Sequence, residues 1–365
     1  ISAFFIADGE LSRTINDFNS SMKKPLVSII IPCRNEAGFI GRCLDSLLVQ
    51  DYPKDKIEIL VVDGASTDST REIVQSYIQK DNRVKLLHNP RRFTPISMNI
   101  GIENAKGDLV TKSDAHTIYP PDYISKCVYY LNEYPKLSTS QVDNLDAVGG
   151  VTYNVPANNS LAAKAITSVL GSPLGGGGAF RRSGVKPELA DTAFGTCYRK
   201  EVFTKIGFFN EKLIRSQDFD FNLRLTRAGG KILLAPDIVL IYYPKQKTIT
   251  SFWRRHFLDG IWAILPLKFG SPIFRPRHLA PLVFVFTILA AATSSIFISP
   301  LIWIAIGILA LYLTAVLYFS LKIVVHEKNA LFLPFLILAF AARHFGYGIG
   351  SIIGLVRLIL PNKTK

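Results

Sequence analysis

Apolar positions in the first third of the chain come in short unbroken runs rather than in alternation. LVSIIIP at Leu26–Pro32, IEILVVD at Ile57–Asp63, VKLLH at Val84–His88 and GDLVTKSD at Gly107–Asp114 are each of strand length. Helical patterns follow the first three, starting near Glu36, Thr67 and Pro95. Strands alternating with helices predict βαβ units and a mostly parallel, Rossmann-like doubly wound sheet. Strands this uniformly apolar are expected to be buried on both faces. In open α/β sheets a ligand binds beyond the carboxyl ends of the strands. Three polar loops are predicted at that edge: PCRNEAG at Pro32–Gly38, VDGASTDST at Val62–Thr70, and SDAH at Ser113–His116.

After Asp146 the pattern loosens into GSPLGGGGAFRRSG, followed by AFGTCYRKEVFTKIG and SQDFDFNLRLTRAGG. Four consecutive glycines oppose both helix and strand through backbone entropy. The segment reads as a linker or as a lid over a substrate, with Arg181 and Arg182 beside it to meet a phosphate. From Leu279 onward, long uncharged stretches replace the mixed pattern. Leu279–Ile298 and Pro300–Leu321 each reach the roughly 20 apolar residues that cross a bilayer. A third span near Leu331–Ile352 is interrupted by Arg343 and His344, so a re-entrant hairpin is its alternative. An ionisable residue at such depth is expected to face a protein interior or the interface. The N-terminal ISAFFIA is too short to span and lacks a basic flank, so it does not read as a signal peptide.

A net charge of +14 points to nucleic acid in a soluble protein. Here Arg254, Arg255, Lys268, Arg275 and Arg277 gather just before the first apolar stretch, which redirects the reading to anionic lipid and excludes a nucleic-acid partner. The same bias places the large N-terminal part on the cytoplasmic side of the cytoplasmic membrane. SFWRRHFLDGIW, Ser251–Trp262, mixes aromatic and basic residues as an interfacial helix does. Cys33, Cys43, Cys127 and Cys197 show no CxxC spacing and read as packed thiols.

Two carboxylates stand out. Asp114 with His116 two residues on offers hard oxygen and borderline nitrogen donors, suited to a divalent cation held mainly by ligand phosphates. A helix cap beside an unrelated histidine explains the same pair. Asp218 opens the amphipathic helix of SQDFDFNLR, where the helix dipole alone accounts for an acid, and where a general base would also sit.

Taken in order, PxxNE after strand one, VDGxSTD after strand two, DAH after strand four and an acidic opening to a late helix resemble the family 2 glycosyltransferases of the GT-A fold. The DAH triplet is most similar to their succinoglycan-type, ExoA-like membrane-anchored members. The resemblance covers about residues 26–270. It implies an N-terminal extension at 1–25, a GT-A domain at 26–247, interfacial helices at 248–278, and a transmembrane region of about three helices at 279–360. It also implies that Pro32, Arg34, Asn35, Glu36 and Ser113 line a nucleotide pocket, and that Asp63 accepts hydrogen bonds from the base, with UDP-sugars favoured. By the same resemblance Asp114 and His116 hold Mg2+ or Mn2+ against the diphosphate, Arg255 contacts that diphosphate, and Asp218 is the base.

The implied reaction is one inverting displacement from a nucleotide-sugar onto a lipid-linked saccharide or a polyprenyl phosphate. Arg255 stands where processive relatives carry QxxRW, and the poor match to that motif implies a non-processive enzyme. Gln217 stands where the family commonly has Glu, and His116 where it has Asp. Both departures leave open a module that binds nucleotide-sugar without catalysis. A nucleotidyltransferase is the other alternative, although its first loop would be glycine-rich and basic, and PCRNEAG is not.

Overall fold

The computed structural model describes residues 24–134, 144–176, 186–271 and 276–360. Arg181 and Arg182, the latter part of the glycine run, and most of the N-terminal extension lie outside the described residues. In chain order the elements are β1 Val27–Cys33, α1 Ile40–Leu48, β2 Ile57–Asp63, α2 Thr70–Ile78, β3 Val84–His88, α3 Thr94–Asn104, β4 Leu109–Lys112, β5 Thr117–Ile118, α4 Tyr123–Asn132 and β6 Ala147–Asn154. There follow α5 Leu161–Gly171, β7 Glu188–Leu189, β8 Phe194–Arg199, α6 Glu201–Ile206, α7 Gln217–Arg227, β9 Ile232–Tyr242, α8 Ile249–Ile264, α9 Pro276–Ser294, α10 Leu301–Glu327 and α11 Leu333–Ile359. The chain falls into two compact units. One takes in residues 24–134, 144–153, 186–214 and 221–242, and the other 154–176, 215–220, 243–271 and 276–360.

The first unit is built on a nine-stranded sheet, in the order β3-β2-β1-β4-β8-β6-β9-β5 with β7 paired to β9. The pairs β1–β2, β2–β3 and β1–β4 are parallel. The pairs β4–β8, β6–β8, β5–β9 and β7–β9 are antiparallel. The expectation of a mostly parallel sheet is therefore corrected to a mixed one. The crossover helices α1, α2 and α3 hold only the first four strands parallel, and β8 returns alongside β4 in the opposite sense. β1 and β2 are buried almost throughout, as their apolar runs require. Alternate residues serve opposite faces: Ile29, Ile31, Ile59 and Val61 pack with α1 and α4, whereas Ile30, Leu60 and Val62 pack with α3 and α7. All four cysteines are buried free thiols.

The second unit is helical. Its apolar cluster joins α5 (Ala165, Ile166, Val169), Phe252 of α8, Val316 of α10, and Leu336, Ala339 and Phe340 of α11. On α11, Gly346, Gly350 and Gly354 recur every four residues and so share one face. A Cβ at Gly350 would collide with the carbonyl oxygen of Phe257, and one at Gly354 would lie 3.0 Å from that of Ile261, so the glycines let the α8 backbone lie directly on α11. Gly348, on another face, permits the same approach to Pro281 of α9.

Among the described residues two helices are long and apolar enough to cross a membrane: Leu301–Glu327, and Ala330–Ile359 with its short leading turn. The expected first span, Leu279–Ile298, is shorter than expected, since α9 ends at Ser294 and its apolar part, Leu279–Ser294, falls below spanning length. There the hydroxyls of Thr293 and Ser295 bond back to the carbonyls of Leu289 and Ala292, and the amides of Ile296 and Phe297 close turns onto Thr293 and Ser294. The segment read either as a third span or as a hairpin is one continuous helix. Its ionisable residues face protein. Arg343 Nη1 lies 3.1 Å from His256 Nε2, and His344 contacts Tyr312 and the carbonyl of Leu174. Around α10, Trp303, Leu311, Leu313, Tyr318 and Val325 are exposed, an exterior that a lipid environment favours.

Candidate functional site

The first two loops at the carboxyl edge of the parallel strands are stitched together by their own polar groups. Asn35, with φ +54°, adopts a left-handed conformation that asparagine tolerates better than most residues. Its amide donates to Ser66 Oγ (2.9 Å), and its side-chain oxygen accepts from the Thr67 amide (2.8 Å). The Glu36 amide donates to the buried Thr70 hydroxyl (2.8 Å), and the Ala37 amide to Asp68 Oδ2 (3.1 Å). Burial pushes the Asp68 carboxyl up, but the Thr70 hydroxyl and the amides of Ala37 and Thr70 outweigh it and hold the group below the ordinary aspartate value. Within these loops Pro32 is half-buried and Arg34 exposed.

Asp63 ends β2 with no exposed surface. Both its carboxylate oxygens accept from the Ser66 amide at 3.2 Å. Arg71 reaches Asp63 Oδ2 at 3.5 Å and His88 Nδ1 at 3.4 Å, so a guanidinium spans the ends of β2 and β3. Sequence reasoning did not single out Arg71. Its position in the first turn after VDGASTDST was the available signal.

The third loop follows β4. Ser113 is buried, with its amide donating to the Ile30 carbonyl (2.8 Å). The Asp114 amide donates to Tyr119 Oη (2.8 Å), and its carboxylate lies 3.7 Å from Lys112 Nζ with the side chain 27% exposed. His116 Nδ1 lies 3.3 Å from Glu36 Oε1, and its Nε2 lies 3.3 Å from Tyr242 Oη. Its ring meets Tyr242 edge-on at 5.1 Å and Phe39 at 6.3 Å. Burial alone would lower the imidazole pKa. The electrostatic pull of Tyr242, the Glu36 hydrogen bond and the charges of Asp114 and Glu36 overcome it and raise the pKa to about 9. Glu36, Asp114 and His116 are thus brought together from loops one and three. Tyr119 and Tyr242 join them unforeseen by the sequence reading.

Among the described residues no three His, Cys, Asp or Glu side chains form a group able to hold a metal ion alone. A cation would take Asp114 as its carboxylate ligand and the rest of its shell from a diphosphate and water, which suits a hard divalent ion. His116 fits that role poorly, because both ring nitrogens already face protein partners.

Asp218 and Arg255 belong to the second unit. Arg215 and Ser216, just before Asp218, are tied to α8: Arg215 Nη1 lies 2.5 Å from Asp259 Oδ1, and the Ser216 hydroxyl donates to the Trp262 carbonyl (3.1 Å). Ser216 has φ +63°, a left-handed turn from which α7 starts. Asp218 is half-buried in the first turn of α7. Arg255 donates to Gln246 Oε1 (2.9 Å) and lies 3.7 Å from Asp259.

Comparison with known proteins gives the family and the fold. Residues 28–187 match the model of glycosyl transferase family 2, and residues 109–341 that of glycosyl transferase family group 2. The chain is 28% identical over 316 residues to a dolichyl N-acetyl-α-D-glucosaminyl phosphate 3-β-D-2,3-diacetamido-2,3-dideoxy-β-D-glucuronosyltransferase of Methanococcus voltae, covering 86% of this chain and 92% of that one. It is 30% identical to the succinoglycan biosynthesis protein ExoA of Rhizobium meliloti over 62% of this chain and 66% of that one. A mannosyltransferase of Pyrobaculum calidifontis, solved with GDP-Man and Mn2+, shares the fold at a TM-score of 0.55 and 20% identity, covering 97% of this chain and 96% of that one. With the second family match covering more than half of its length, the chain belongs to the family 2 glycosyltransferases.

Proposed function

We propose that this protein is a membrane-bound, non-processive inverting glycosyltransferase that moves a sugar from a nucleotide-sugar, a UDP-sugar in the first instance, to a lipid-linked saccharide or a polyprenyl phosphate. The observation that carries the reading is the meeting of Glu36, Asp114 and His116 at the edge where Asp63 ends β2, in a chain of this family. The Methanococcus relative, whose name states a dolichyl-phosphate-linked acceptor, supports the acceptor class. The apolar exteriors of α10 and α11 support a multi-pass anchor in the cytoplasmic membrane. The cations Arg254, Arg255 and Lys268 support a cytoplasmic face for the catalytic unit.

Asp63 accepts the N–H of the base, and Arg34 and Pro32 border the nucleotide with Ser113. Asp114 holds the divalent ion, Mg2+ or Mn2+. That ion, when bound, offsets the negative charge that grows on the departing diphosphate. Asp218 takes the proton from the attacking acceptor hydroxyl, and Arg255 lends positive charge to the leaving group. With a phosphate acceptor, already anionic, the proton transfer is unnecessary and Asp218 serves by position.

The test is transfer itself. Detergent-solubilised protein is incubated with a panel of nucleotide-sugars and with polyprenyl phosphate or a lipid-linked saccharide, and the lipid product is weighed by mass spectrometry. One sugar-extended lipid, reduced about 10²-fold or more in Asp218→Asn for a hydroxyl acceptor, supports the reading. Absence of product with every donor and both acceptors contradicts it.

A further inference from the structure

We infer that His116 is not a metal ligand but a positioning residue, a pin that joins the loop carrying Glu36 to the end of β9 and so holds Asp114 in place. The inference rests on the function proposed above only in its consequence for catalysis; the pin itself is a property of the protein alone.

An imidazole has two ring nitrogens, and both are engaged here. Nδ1 faces the carboxylate of Glu36 at 3.3 Å and Nε2 faces the hydroxyl of Tyr242 at 3.3 Å. Nδ1–H donates to the Glu36 carboxylate, and Nε2 is engaged by the Tyr242 hydroxyl, whichever of the two carries the proton between them. To ligate a cation, one nitrogen would have to release its partner and turn its lone pair outward. The ring is not free to swing: Phe39 and Tyr242 hold it edge-on at 6.3 and 5.1 Å, and Phe194 backs Tyr242 at 5.4 Å.

The backbone explains why these residues meet. β5 pairs antiparallel with β9 so that Thr117 lies opposite Tyr242, which brings the residue before Thr117 to the end of β9. Glu36 is itself anchored, since its amide donates to Thr70 and its carbonyl accepts from Phe39 and Ile40 at the start of α1. The pin therefore ties together segments 80 and 126 residues apart in sequence. Asp114 lies two residues before it, with its amide fixed by Tyr119. A carboxylate that must receive a cation and a diphosphate in one geometry gains from such support, as metal ligands generally do from the groups behind them. Glu36 and Tyr242 become positioning residues on the same footing.

Three measurements test this on the full-length protein. In metal-free protein, thermal unfolding of His116→Gln, Tyr242→Phe and the double variant forms a cycle. The pin predicts that the double variant loses little more Tm than the worse single one, and strict additivity overturns it. In Mn2+ with UDP, pulsed electron paramagnetic resonance reads nitrogen bound directly to manganese. The pin predicts no such coupling from the protein, and a nitrogen coupling that vanishes in His116→Gln overturns it. In transfer assays, His116→Ala is expected to lose about 10²-fold in kcat, unrelieved by excess Mn2+, while His116→Gln retains more of the rate. Recovery of His116→Ala by excess Mn2+ would point to a lost ligand and overturn the pin. Failure of the unsubstituted protein to bind UDP or to transfer sugar would count against the proposed function instead, and the metal-free cycle would still decide the pin.

Discussion

The hydroxyl of Tyr119 accepts the backbone amide of Asp114 at 2.8 Å, with Tyr119 only 2% exposed. The main chain of the candidate metal-binding aspartate is thus fixed by a phenol from the next turn of chain. Tyr119 is in turn packed against Tyr123 at 4.9 Å, and burial keeps its hydroxyl proton well above the ordinary range. Removing the oxygen alone leaves a partly buried amide without that partner. Tyr119→Phe is therefore expected to cost about 1–3 kcal/mol of stability, and to weaken metal-dependent nucleotide binding by about 10-fold or more. Denaturation and calorimetry on the same preparation check both. Unchanged stability together with unchanged binding would mean that the contact does nothing for Asp114.

Glu58 makes a pH-dependent brace under the parallel strands. It is 7% exposed and accepts from the Ser28 hydroxyl at 2.7 Å, the Lys106 amide at 2.6 Å and Lys85 at 2.9 Å. Burial pushes its pKa up, but the Lys106 amide, the Ser28 hydroxyl and Lys85 overcome this and set it below the usual value of 4.5. A lowered carboxyl pKa contributes stability that is fully present above the unfolded value and is lost as pH falls through the folded one. Acid unfolding below about pH 4.5 is expected to be shallower in Glu58→Gln, which is also expected to be less stable at pH 7 by about 1–3 kcal/mol.

The contact between α8 and α11 depends on the absence of side chains. Gly350→Val is expected to destabilise the helical unit by about 1–3 kcal/mol or more, because its Cβ meets the Phe257 backbone rather than a movable side chain. Gly307 on α10 has nothing within 4 Å of a new Cβ, so Gly307→Ala is expected to be neutral or to stabilise by about 0.5–1 kcal/mol. Thermal melts in detergent distinguish the two. Equal effects at both glycines would contradict the packing described here.

How legible was all this beforehand? β1, β2 and β4 were plain, because burial on both faces forces near-unbroken apolar runs, whereas β3, at the sheet edge, buries only Val84 fully. The family was legible too, since PCRNEAG, VDGASTDST and SDAH keep their spacing at successive strand ends, and the family match agrees. The antiparallel half was not. β5 and β7 are two residues each, and β8 lies within AFGTCYRK, where no clear alternation marks it. The end of α9 was misplaced for a local reason: composition stays apolar to Ile298, but Thr293 and Ser295 turn their hydroxyls back onto the helix, and the chain leaves it. The partners of His116 were hidden most deeply. Nothing within SDAH names Tyr242, which depends on the register of a two-residue strand against β9.

The measurement that bears most directly on the central claim is calorimetric binding of UDP-, GDP- and dTDP-sugars to the solubilised protein, with and without Mn2+, repeated on Asp114→Asn. The expected result is that one donor class binds in a metal-dependent way, and that the substitution weakens it by about 10-fold or more. If no nucleotide-sugar binds with or without metal, or if Asp114→Asn binds as well as the unsubstituted protein, the assignment of this edge of the sheet to a metal-assisted donor site is contradicted.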